Sequence, residues 1–195
     1  MMKRDECLKL LAKRIADDIV VGSYSTAFDW ISIRPDHPLN YMSVGAMGLA
    51  SSHGLGLALA CPERRVVVLD GDGSLLMNLG SLVTIAAIAP HNFVHCVSSN
   101  GNYEANGGHP IPGRGVISFA AVAKGAGYRN VYEFSELAPF DAGIGSVLEA
   151  EGPTFVVLNV ERGAEVPLDY GKLYAPETRV AFRKAVFSTA DGKVD

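Results

Sequence analysis

Asp72 stands between two glycines in the run Leu69-Asp70-Gly71-Asp72-Gly73-Ser74, directly after the apolar stretch Val66-Val67-Val68-Leu69. Glycines on both sides let the backbone turn sharply and come close to a ligand. The carboxylate between them is a hard oxygen donor of the kind Mg2+ takes. Gly73 and Ser74 can then offer backbone amides and a hydroxyl to a phosphate. One helical crossover further along, Val97-Ser98-Ser99-Asn100-Gly101-Asn102-Tyr103 ends a second apolar run with an asparagine. The Asp72 carboxylate, the Asn100 amide oxygen and the Asn102 backbone carbonyl would supply three metal ligands. Two diphosphate oxygens and a water would complete an octahedron. Each residue also has a plainer use, Asp72 as a helix cap in a βα turn and Asn100 as a turn residue before Gly101.

These residues need strands to carry them. Arg65 to Asp70 reads as a strand buried on both faces, because it is continuously apolar and β-branched. Asn92 to Val97 is a second strand, and a helix from about Leu76 to Ala89 joins the two as a βαβ unit. Before them, Leu8, Leu11, Ile15 and Ile19 recur at helical spacing and predict an amphipathic helix over residues 3 to 17, with Lys3, Arg4, Lys13 and Arg14 between. Ile19 to Val21 is a short strand ending in the polar turn Gly22-Ser23-Tyr24-Ser25-Thr26. Asn40 to Val44 predicts another strand, followed by a tightly packed small-residue helix from about Gly48 to Ala60. Residues 100 to 115 read as an irregular loop. Helices near Ser118 to Gly125 and Leu137 to Ala150 alternate with strands at Asn130 to Tyr132 and Thr154 to Val160. This alternation predicts an α/β fold, a three-layer α/β/α arrangement with a mostly parallel sheet. Residues 1–162 are read as one domain and 163–195 as a polar C-terminal extension with a late helix near Pro176 to Phe187.

Composition narrows the function. A net charge of -4 over 195 residues leaves no basic stripe for nucleic acid. Cys7, Cys61 and Cys96 are widely spaced and form no C-x-x-C pair, so neither a disulfide framework nor a zinc site is expected. His37, His91 and His95 lack metal-ligand spacing. The acidic residues in the first twenty positions argue against an export signal, and no apolar run reaches membrane-spanning length. A cytoplasmic location is the expectation.

A GDG motif, a helix, then an asparagine at a strand end resembles the diphosphate-binding, C-terminal-type domain of thiamine-diphosphate enzymes. The second motif of that family is usually Asn-Asn. Here it is Ser99-Asn100, which changes the first position and keeps the metal-ligating second. Val44-Gly45-Ala46-Met47-Gly48 is similar to the family's G-x-Φ-G segment, where Φ is bulky and apolar. The resemblance implies thiamine diphosphate and Mg2+ as cofactors, with Asp72, Asn100 and Asn102 on the metal. It makes Met47 the wedge that bends the cofactor, and the Gly45 carbonyl the acceptor for the aminopyrimidine. Ser23, Ser25, Gly71, Gly73, Ser74 and Tyr103 join the cofactor contacts. VGAMGLASSHGLGLALA and the Asn-Gly second motif look most like the sulfopyruvate and phosphonopyruvate decarboxylases, the former with a beta subunit of this kind.

The activity so implied is decarboxylation of a small anionic 2-oxoacid, releasing CO2 and an aldehyde. The activating glutamate of the family belongs to a second, pyrimidine-binding domain. No glutamate of this chain is assigned that role, and Glu104 is expected to face solvent or cap a helix. A separate subunit is the expected partner, in a hetero-oligomer, and self-association is a further possibility. His53, His109 and Arg114 are candidates for an anionic substrate tail, with Gly107-Gly108 as a hinge. Two other readings stay open: an acetolactate-synthase-like carboligase subunit, and a non-catalytic nucleotide-binding module. The absence of G-x-G-x-x-G after the first strand and of a P-loop weighs against the latter.

Overall fold

The computed structural model describes residues 1–43, 45–163 and 170–187. Val44 lies outside them, as do 164–169 and 188–195 of the C-terminal extension. Six strands form one parallel sheet: β1 (Ile19–Ser23), β2 (Asn40–Ser43), β3 (Val66–Gly71), β4 (Phe93–Ser99), then β7 (Asn130–Phe134) and β8 (Thr154–Asn159). Their order is β2-β1-β3-β4-β8-β7, with every neighbouring pair parallel. Two further short strands, β5 (Asn102–Tyr103) and β6 (His109–Pro110), make an antiparallel hairpin apart from it.

The central strands are apolar throughout because both faces are covered. Val66, Val68, Phe93, Val97, Phe155 and Val157 point into one core, shared with α3 (Ala50–Ala60), α5 (Gly80–Ile88), α6 (Phe119–Ala126) and α9 (Pro176–Phe187). Val67, Leu69, Val94, Cys96, Val156 and Leu158 point into the other, under α1 (Arg4–Ala12), α2 (Tyr24–Ile33) and α7 (Leu137–Glu149). The expected α/β/α layering is therefore present. The small-residue character of α3 has a direct cause at Gly54, where a Cβ would sit 2.3 Å from Val68 Cγ2.

Several element boundaries differ from the pattern reading. α1 stops at Ala12 and does not reach residue 17. The expected turn at Tyr24 to Thr26 is already the first turn of α2, and the helix expected from Leu76 is two: α4 (Asp72–Leu76) and then α5. Nor is the stretch after Asn100 irregular. Gly107 and Gly108 make the tight end of the β5–β6 hairpin, closed by Gly108 N–H donating to the Tyr103 carbonyl at 2.8 Å. In the C-terminal extension α9 packs Phe182 against Tyr41 of β2, with ring centroids 5.3 Å apart.

The chain crosses from β1 to β2 on one side and returns to β3 on the other. This reversal puts a crevice at the carboxyl ends of β1 and β3, the place where open parallel sheets bind ligands.

Candidate functional site

That crevice is lined by Ser23, Tyr24, Ser25, Thr26, Met47, Gly71, Asp72, Gly73, Ser74, Ser98, Asn100, Asn102 and Tyr103, with Arg4, Glu104 and Ala105 at its side. Of the residues expected to contact cofactor or metal, only Gly45 is not part of the lining, and the substrate-tail candidates His53, His109 and Arg114 also lie outside it. Gly45 is exposed, and its backbone meets the Tyr24 phenol. The volume enclosed by this chain is small, about 40 Å3. A larger cavity of about 300 Å3 lies between β2 and α9, walled by Ile31, Tyr41, Met42 and Phe182, and holds none of the motif residues. The motif residues gather at the smaller space.

Two carboxylates, Asp70 and Asp72, sit two residues apart at the end of β3, in different states. Asp70 is fully buried. Its Oδ1 accepts from the Ser23 hydroxyl at 2.7 Å and from Gly71 N–H at 2.9 Å, and its Oδ2 lies 3.4 Å from His95 Nε2. Burial pushes this carboxyl up, but His95 and the hydroxyls of Ser74 and Ser23 outweigh it and leave it below the ordinary carboxylate range. Asp70 thus ties the end of β1 to the GDG turn. His95 is wholly buried, and its Nδ1 finds no hydrogen-bond partner among the described residues.

Asp72 is also buried, but only backbone amides reach it. Gly73 N–H donates to Oδ1 at 2.8 Å and Gly101 N–H to Oδ2 at 2.6 Å. Here burial dominates and pushes the carboxyl above its usual range. The Gly101 contact joins the ends of β3 and β4. In the same loop the Asn100 amide oxygen accepts from Asn102 N–H at 2.7 Å, and the Asn102 side chain donates back to the Asn100 carbonyl at 2.7 Å. Gly73 cannot carry a side chain, since a Cβ there would lie 2.5 Å from the Tyr103 ring. Tyr103 therefore packs directly on the GDG turn.

The other expected contacts fall into two groups. Ser25 and Met47 are partly exposed in the crevice. Ser23 donates to Asp70, and Ser74 Oγ accepts from Gly48 N–H at 3.0 Å, so both hydroxyls hold the walls together. Among the substrate-tail candidates, His53 Nδ1 lies 3.0 Å from Ser43 Oγ beside β2, and Arg114 lies over Gly101. His109 is exposed in the hairpin.

Sequence reasoning expected Glu104 to face solvent or cap a helix and put Arg4 on the polar side of a helix. Glu104 does open a short 3-10 turn over Glu104–Asn106, but its carboxylate faces Arg4 and not solvent, and Arg4 is not on a solvated face. Arg4 is 5% exposed. Its Nε donates to Asp29 Oδ2 at 2.6 Å, and its Nη1 to the Glu104 carboxylate. The second oxygen of Glu104 accepts from Gly163 N–H at 2.7 Å. The helical period around Leu8 and Leu11 carried no sign of this. Arg4 lies at the helix start, where Met2 is drawn to the end of β8 by its N–H donating to the Asn159 carbonyl at 3.1 Å.

The donor set suits a hard cation only with outside help. Asp72 and Asn100 offer a carboxylate and an amide oxygen, and no group of three His, Cys, Asp or Glu able to hold a metal occurs among the described residues. Mg2+ is bound in this way where phosphate oxygens complete its shell. A carboxylate that burial disfavours as an ion, at the mouth of a crevice with hydroxyls on the facing wall, fits a metal diphosphate.

Such a fold and site define a class: parallel α/β domains with a polar crevice at the switch point, where a diphosphate fits. The family described as thiamine pyrophosphate enzyme, C-terminal TPP binding domain, matches residues 21–158, and the chain belongs to it. The chain is 41% identical over 170 residues to the sulfopyruvate decarboxylase subunit beta of Methanothermobacter thermautotrophicus, spanning 86% of this chain and 88% of that one. With a phosphonopyruvate decarboxylase of Streptomyces viridochromogenes it shares 38% over 184 residues, 94% of this chain and 46% of the relative. It thus spans about half of that longer protein. An X-ray structure assigned to a thiamin diphosphate-dependent enzyme of Mycobacterium smegmatis superposes with a TM-score of 0.70 at 26% identity, over 83% of this chain and 32% of that one.

Proposed function

We propose that this chain is the diphosphate- and Mg2+-holding half of a thiamine-diphosphate-dependent decarboxylase acting on a small anionic 2-oxoacid of the sulfopyruvate or phosphonopyruvate kind, with CO2 and an aldehyde as products. The observation that carries the reading is Asp72, buried and held only by amides, joined to the Asn100 loop through Gly101 N–H. Asp72, the Asn100 amide oxygen and the Asn102 carbonyl would hold the metal. Ser25 with the Ser74 amide would face the diphosphate, and Gly73, whose N–H is held by Asp72, would let the backbone come close to it. Met47 would set the bend of the cofactor from the opposite wall. When bound, thiamine diphosphate supplies the electron sink that makes loss of CO2 feasible.

The rest of the site is assigned to a partner subunit. The crevice enclosed by this chain is shallow, and relatives of similar span are beta subunits. A surface for the partner is available. Residues 45–62 and 73–90 contain no Asp, Glu, Lys or Arg, and they form α3, α4 and α5 beside the crevice. Leu59, Met77, Val83 and Ile88 stand exposed there. Adjacent helices with uncharged, partly apolar outer faces suit burial in an interface. Residues 163–195 are read as an extension that adds α9 to the β2 edge.

Mixing this chain with its complementary α/β subunit, thiamine diphosphate, Mg2+ and sulfopyruvate or phosphonopyruvate should yield CO2 and the matching aldehyde. A condensed hydroxyketone in place of the aldehyde would reject decarboxylation in favour of carboligation. No calorimetric binding of thiamine diphosphate with Mg2+ by the assembled pair would reject the cofactor site.

A further inference from the structure

The crevice has two walls that belong to different parts of the chain. One is the start of α2, which brings the hydroxyls of Ser23, Ser25 and Thr26. The other is the loop from Asn100 to Glu104, which brings two of the three proposed metal ligands, Asn100 and Asn102, and is tied to the third, Asp72, through Gly101 N–H. Between them lies one buried cation, Arg4, carried by neither wall. Its guanidinium reaches Asp29 on α2 and Glu104 directly after Tyr103, and the chain leaving β8 closes over it at Gly163. The side chains of all three charged residues are nearly enclosed, at 4% exposure for Arg4, 11% for Asp29 and 12% for Glu104.

Burying three charges is costly, and apolar residues of the same size could fasten these segments with less desolvation. A guanidinium differs in fixing two carboxylates in set directions within one rigid plane. We propose that Arg4 is a positioning residue for the cofactor site, bracing the hydroxyl wall through Asp29 against the metal wall through Glu104. The brace sets the separation at which a diphosphate on one wall and a metal on the other hold each other. This inference rests on the proposed cofactor site. Its signature is a loss of cooperation between metal and cofactor, beyond any loss of stability.

The test is titration calorimetry of the full chain with its partner subunit, using thiamine diphosphate with and without Mn2+, a stand-in for Mg2+ that electron paramagnetic resonance can follow. In the unaltered protein Mn2+ should strengthen thiamine diphosphate binding, and the reverse should hold by the same factor. Arg4→Gln should cut that strengthening about tenfold, as loss of an outer-shell partner does at metal sites. Glu104→Gln should act in the same direction, and the double variant should fall no lower than the worse single one, since both act through one contact. Variants that lose thermal stability yet keep the enhancement within about twofold would reduce Arg4 to a fold-holding role. Should Arg4→Gln fail to fold, Glu104→Gln decides alone, because the Gly163 hydrogen bond to its side chain can persist. An unaltered complex that binds neither ligand would overturn the cofactor site itself, whereas normal binding with unchanged variants overturns only the brace.

Discussion

The two ends of the sheet use buried and half-buried polar side chains differently. At the amino ends, Asn92 Nδ2 donates to the carbonyls of Ala58, Cys61 and Arg64 at 3.1, 3.0 and 2.8 Å, stitching the end of α3 to the loops around β3 and β4. Arg65 beside it reaches Asp18 and the Leu148 carbonyl. The partners there are mostly main-chain oxygens that would otherwise go unpaired. At the carboxyl ends, Asp70 is held mainly by side chains, accepting from the Ser23 hydroxyl and the Gly71 amide beside His95, whereas Asp72 is a buried carboxylate reached by amides alone. Polarity at the amino ends satisfies main-chain oxygens, whereas at the carboxyl ends, on the proposed function, stability is traded for capacity to bind.

The largest effect that sharpens this contrast is at Asp72. Asp72→Ala should weaken thiamine diphosphate and Mg2+ binding by at least about 100-fold, the upper end of what an outer-shell loss causes. The ligand-free chain should unfold at an unchanged or higher temperature, because a disfavoured buried charge has gone. Calorimetry paired with thermal unfolding checks both, and a variant with normal affinity would break the contrast. Next is Asn92→Ala, expected to lower stability by about 2–3 kcal/mol, since three carbonyls lose one shared donor. Denaturant unfolding measures that loss, and cofactor affinity of the folded variant should be unaltered. A change in affinity comparable to that of Asp72→Ala would erase the distinction between the ends.

The smallest effect is a difference in sign with pH. The Asp72 pKa is raised above its ordinary 3.8, so its contribution to stability is present below that value and lost as pH rises through the folded pKa. For Asp70 the pKa is lowered, so its contribution is present above 3.8 and lost as pH falls through the folded pKa. Replacing Asp72 by Asn should therefore stabilise the ligand-free chain at neutral pH, with the advantage shrinking on acidification. The Asp70→Asn variant should be less stable at neutral pH, with its deficit shrinking in acid. Melting temperatures across the acidic range read both, and parallel trends would show that the two carboxylates share one environment.

Much of the carboxyl end was legible in the sequence. Asp72 and Asn100 announce themselves because glycine stands on both sides of the first and directly after the second, and an apolar strand precedes each, so local patterning captures both. The layers were legible for the same reason, as continuous β-branched runs between helical periods. Arg4 was not, because its partners Asp29 and Glu104 are remote in sequence and meet it only once α1 has packed along α2. His95 was passed over as lacking metal spacing, yet its bond to Asp70 depends on register, which pairs Val68 with His95 across β3 and β4. Tyr24 opens α2 at φ 41°, a left-handed entry that no residue type at that position signals.

The uncharged helix α3 follows the segment Gly45 to Gly48, and α5 follows the GDG turn by way of α4, so on the proposed assembly docking and closure of the crevice are one event. Active sites would then exist only in the paired state, and their number would follow the product of two subunit concentrations. Diluting the complex would lower turnover per chain, and the scarcer subunit would act as a throttle on flux.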